Sequence, residues 1–109
     1  MNVIQDLELP LAEDRRLIIR MYQVEKSIYF PTGIKFAFQY LFSKDNKWIE
    51  VARVDNYEHD PKRTGSHVHK FGTSEVEFKE ITPEEAEDYI MDLAEGVIKK
   101  IELGEIGYG

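Results

Sequence analysis

The 109-residue chain contains no cysteine, which removes disulfide scaffolds, thiolate metal sites, iron–sulfur clusters and cysteine nucleophiles together. Long apolar runs are missing too. The longest uninterrupted aliphatic stretch is Leu17-Ile18-Ile19, far short of the roughly 20 residues that a membrane helix needs. The start of the chain lacks a basic segment and carries Asp6, Glu8, Glu13 and Asp14. No secretory signal is read there, and a cytoplasmic protein without a membrane partner is expected. What is present is a folding composition, 42% apolar and 12% aromatic, in a length that suits a single domain over residues 1–109.

The net charge of −7 is unevenly distributed. Residues 1–43 hold five acids and five bases, and residues 44–73 hold five acids and six bases. Residues 74–109 hold eleven acids and three bases, so the acidity belongs to the last third. General attraction to a phosphate backbone is therefore not expected, whereas a local basic site is compatible with the remainder.

Residues 1–13 show no convincing period and read as an N-terminal arm or short strand, with Pro10 as its stop. Residues 14–81 read as the sheet. Asp14–Lys26 is rich in β-branched and large apolar residues, and Pro31-Thr32-Gly33 is turn chemistry. Ile34–Phe42 alternates cleanly, with Ile34, Phe36, Phe38, Tyr40 and Phe42 on one face. Lys44-Asp45-Asn46-Lys47 is a hairpin turn before a strand from Trp48 to Asn56. A ten-residue loop, Tyr57–Ser66, precedes two short strands at His67–Phe71 and Glu75–Ile81, which flank a turn at Gly72-Thr73-Ser74.

Residues 82–103 read as a helix. Thr82 and Glu85 form a capping box, Pro83 stands at the first helical position and Gly104 is the stop. Ala86, Tyr89, Ile90, Leu93, Ala94, Val97, Ile98 and Ile101 make an apolar stripe, with Leu93 and Val97 expected to be buried against Phe36 and Phe38. The fold class expected is α+β: an antiparallel meander of four or five strands with one long C-terminal amphipathic helix packed on one face. The other face is left to be solvated, to hold a ligand or to meet a second chain.

All three histidines fall in one short stretch, at His59, His67 and His69. Near them are Arg53, Asp55, Asn56, Tyr57, Asp60, Lys62, Arg63 and Lys70. On strands, Arg53 shares a face with Asp55 and His67 with His69, so neighbouring strands would bring the four together. Three readings compete. The cluster is surface polarity on a sheet edge; or the imidazoles exchange protons with a substrate, with Arg53 or Lys70 stabilising an anion; or His-x-His holds a metal, completed by Asp55 or His59. The second is the equipment for RNA cleavage by 2′-hydroxyl attack. A cupin metal site is excluded, because Glu75 stands six residues after His69 and no histidine follows. No bound metal or cofactor is expected, since three imidazoles are the whole supply and Lys62, Arg63 and Lys70 crowd them.

The order of these features resembles the TumE-like toxins of prokaryotic toxin–antitoxin pairs and their uncharacterised relatives. The resemblance runs over residues 15–101 and is carried by Gly33 before Ile34-Lys35-Phe36, then Arg53-Val54-Asp55-Asn56, a basic loop and His67-Val68-His69, and by Asp88, Ile90, Asp92 and Leu93 in the helix. It implies that Asp55, Asn56, His67 and His69 occupy hallmark positions, that His59 matches a histidine following Asp-Asn, and that the partner is a protein antitoxin. The long loop and the valine between the histidines depart from the family pattern. On this reading His67, His69, Asp55 and Arg53 are catalytic, and Asn56, Arg63 and Lys70 contact RNA. The rival reading is a non-catalytic interaction protein, a homodimer through its open sheet face, with structural histidines.

Overall fold

The computed structural model describes residues 2–57, 66–71, 77–78 and 80–105. The expected α+β architecture is present: an antiparallel meander in the order β1-β2-β3-β4-β5-β6, followed by one helix. The strands are β1 (Asn2–Ala12), β2 (Arg15–Gln23), β3 (Ile34–Lys44), β4 (Lys47–Asp55), β5 (His67–Lys70) and β6 (Glu77–Phe78), and the helix is α1 (Pro83–Glu102). The turn expected at Gly72-Thr73-Ser74 lies outside the described residues.

The segment expected as an arm or short strand stopped at Pro10 is β1, an edge strand of 11 residues. β1 pairs with β2 along its length and continues through Pro10, which stands opposite Arg16. An edge strand tolerates proline because one side of its backbone has no ladder to maintain. The ladder shifts register between Val3 and Gln5 and again between Pro10 and Ala12. Inside the sheet, Asp45 and Asn46 both adopt positive φ, as the tight β3–β4 hairpin requires. Gly33 (φ +74°) closes the β2–β3 connection, where an added Cβ would stand only 3.0 Å from the Val24 carbonyl oxygen.

α1 begins as the capping box requires. The Thr82 hydroxyl accepts from the Glu85 amide at 3.2 Å, and the Glu85 carboxylate accepts from the Thr82 amide at 3.1 Å. It ends in a Schellman motif: the Glu105 amide donates to the Lys100 carbonyl and the Gly104 amide to the Ile101 carbonyl. The helix packs on β3, β4 and β5. Its buried row is Ala86, Ile90, Ala94, Val97, Ile98 and Ile101, joined to Phe36, Phe38, Tyr40, Val54 and Val68 in one core. Leu93 is only partly buried, contrary to expectation, because it lies at the margin of the stripe and the two alanines bring the helix down on the line through Ile90. Val97 is buried as expected.

Glu95 ties α1 to the sheet. Its carboxylate accepts from the Tyr40 hydroxyl at 2.7 Å and from Arg15 Nε at 2.9 Å, and Arg15 also reaches Asp14. The Arg15 hydrogen bond holds the Glu95 carboxyl below its usual range, against an opposing effect of burial. The ionised group therefore adds stability above the unfolded value of about 4.5, and this is lost as pH falls through the lower folded value. Between about pH 6 and about pH 3, the urea midpoint of the wild type should fall more steeply than that of Glu95→Gln. Parallel curves would show that the contact contributes nothing to folding.

Candidate functional site

β4 and β5 are neighbours, and their register sets Asp55 opposite His67 and Arg53 opposite His69. Strand alternation sends Val54 and Val68 beneath α1 and these four side chains to the opposite face of the sheet. There they gather around the carboxylate of Asp55. Arg53 Nε donates to Asp55 Oδ2 at 2.8 Å. His69 Nε2 stands 3.4 Å from the same oxygen, and His67 Nδ1 stands 3.5 Å from Oδ1. The amide of Tyr57 donates to Oδ1 at 2.9 Å, which turns the chain at the end of β4 and fixes the carboxylate from its other side.

Burial separates the two imidazoles. Asp55 and His67 are 0% exposed, and both ring nitrogens of His67 are shielded from solvent. The side chain of His69 keeps 30% of its exposure and that of Arg53 27%. His69 thus turns Nε2 inward to the carboxylate while part of its ring faces outward.

The remaining expected site residues separate. Asn56 continues the β3 ladder with its side chain: Oδ1 accepts from the Phe36 amide at 2.8 Å and Nδ2 donates to the Ile34 carbonyl at 2.7 Å. Its place after Asp55 is thereby explained by backbone pairing. Lys70 is exposed and alternates to the helix side, away from His67 and His69. His59, Asp60, Lys62 and Arg63 lie outside the described residues. Among the described residues no group of three or more histidine, cysteine or acidic side chains is arranged to hold a metal ion.

Lys35, which the sequence did not bring to the site, borders it together with Tyr57. The Tyr57 ring lies 5.3 Å from Arg53 Cζ and 4.5 Å from the Lys35 ammonium. Burial raises the Tyr57 phenol above its ordinary value, with Tyr22 and Asp55 adding to the rise and Arg53 and Arg20 opposing it. The available signal was the alternation of β3, which puts Lys35 on the same open face as Ala37, the residue opposite Asp55.

No family model matches the chain, and no match was found among the curated proteins or the solved structures. The resemblance to TumE-like proteins accordingly rests on the residues quoted for it. No helix among the described residues is long and apolar enough to cross a membrane.

Proposed function

We propose that this protein binds and cleaves RNA at the Asp55–His69–Arg53 cluster, in the manner of a TumE-like toxin held in check by a protein antitoxin in the cytoplasm. The observation that carries the reading is the convergence of a guanidinium and two imidazoles on one buried carboxylate, with one imidazole partly open to solvent. His69 takes the proton of a ribose 2′-hydroxyl, the 2′-oxygen attacks the adjacent phosphorus, and the 5′-oxygen leaves. The imidazolium then returns the proton to that oxygen. The products are a 2′,3′-cyclic phosphate and a 5′-hydroxyl. Arg53 stands where negative charge grows on the phosphorane, and its gain is larger there than in the ground state. His67, enclosed behind Asp55, holds the carboxylate in place and does not reach the phosphate.

The test is purified protein with mixed single-stranded RNA, with and without a chelator. Cleavage that persists in chelator and leaves cyclic-phosphate ends is the expected result. No cleavage at any pH would remove the reading. The rival, a non-catalytic homodimer, draws support from β1, an edge strand with Val3, Ile4, Leu7 and Leu11 exposed. On that reading self-association runs through the sheet edge, since the open face carries the ion pairs Arg16–Glu8 and Arg20–Asp6. A chain that sediments as a dimer and leaves RNA intact would be this second protein.

A further inference from the structure

We infer that Lys35 and Arg53, spaced by the ring of Tyr57, form a subsite for the RNA phosphate next to the one that is cleaved. The inference rests on the RNA reading above and adds a second anion contact to it. On the open face most cations are already matched: Arg16 pairs with Glu8 at 2.8 Å, Arg20 faces Asp6 at 3.7 Å, and Arg53 pairs with Asp55 through Nε. Lys35 differs. Its ammonium stands 4.5 Å from the Tyr57 centroid and 5.9 Å from that of Phe30, and no carboxylate among the described residues forms an ion pair with it. Aromatic faces attract a cation without neutralising its charge. Lys35 is therefore held in place with its full charge available to an anion.

The frame around it is rigid. The Asn56 side chain bonds the backbone of Ile34 and Phe36, the two residues that bracket Lys35, and Tyr57 follows Asn56 directly. Tyr57 is in turn tied through its amide to Asp55. One side-chain amide thus locks the strand bearing Lys35 to the end of the strand bearing Asp55, so little ordering is left to pay for when a phosphate arrives. Asp55 and Tyr57 are two residues apart, and the Asp55 carboxylate accepts from the Tyr57 amide where the chain turns at the end of β4. Arg53 contacts both Asp55 and the Tyr57 ring and so spans the two positions.

The probe is a 2′-O-methyl oligouridine, which lacks the nucleophile and so reports binding without cleavage, with an oligothymidine of equal length beside it. Each phosphate contact with a single strand contributes about 0.7 to the slope of log K against log salt. Lys35→Gln should lower that slope by about 0.7 and weaken binding several-fold for both oligonucleotides, because a phosphate contact does not sense the sugar. Lys35→Arg should restore the slope. Tyr57→Leu should weaken binding, whereas Tyr57→Phe should bind as the wild type does. A wild type that cleaves RNA while Lys35→Gln keeps the wild-type slope would overturn the subsite and leave the cleavage reading standing. A wild type that binds but does not cleave, with the slope lost in Lys35→Gln, would uphold the subsite and remove the catalysis. If the wild type binds neither oligonucleotide, both ideas fall.

Discussion

His69→Gln should lower RNA turnover by roughly 10²- to 10⁴-fold, the range that a positioned general base supplies. The expectation depends on burial. His69 is the imidazole with an exposed portion, whereas His67 is enclosed with both ring nitrogens shielded. His67→Gln should therefore act on folding, lowering the melting temperature while the turnover of the folded protein stays within about tenfold of wild type. Asp55→Asn separates orientation from charge. It keeps an oxygen for the Tyr57 amide but removes the negative charge 3.4 Å from His69 Nε2, so turnover should fall while the pH dependence changes shape. Its stability cost should be about 1–3 kcal/mol, toward the lower end because Arg53 is partly exposed and can turn to water. Equal losses in the two histidine variants would show that the buried imidazole takes part in the chemistry. No loss in either would place the chemistry elsewhere.

The convergence of Arg53, Asp55, His67 and His69 was legible because it needed only two facts, strand alternation and the adjacency of β4 and β5. The inequality of the histidines was not. Both occupy the same face at the same spacing, and only the packing around β5 makes one buried and leaves the other part-exposed. Asn56 was read as a ligand contact because an Asp-Asn pair before His-x-His suggests chemistry, yet its amide replaces ladder bonds that β4 no longer makes. The full length of β1 was hidden for a similar reason. Leu7, Leu9 and Leu11 do alternate with Asp6, Glu8 and Pro10, but the register shift after Val3 breaks the period where the segment starts. The capping box, by contrast, was readable in full, since each of its contacts lies within four residues of sequence.

Ile90→Ala should cost about 2–5 kcal/mol, the range for truncating a large aliphatic in a closed core, and toward its upper end. Ile90 is 0% exposed and stands one helical turn from both Ala86 and Ala94, which are themselves fully buried. Those alanines let α1 approach the sheet, and they leave Ile90 as the large side chain between them on that line. Once it is shortened, neither alanine has atoms with which to fill the space, and the void stays open. Leu93→Ala removes as many carbons from the margin of the same helix, where partial exposure leaves less to lose, and should cost about half as much. Urea denaturation at constant m decides between them through the midpoint. A chain of this length has about 5–15 kcal/mol to lose, so Ile90→Ala should remove a large share of it. If Leu93→Ala proves the more costly of the two, the helix meets the sheet on a different line, and the order of burial along α1 must be redrawn.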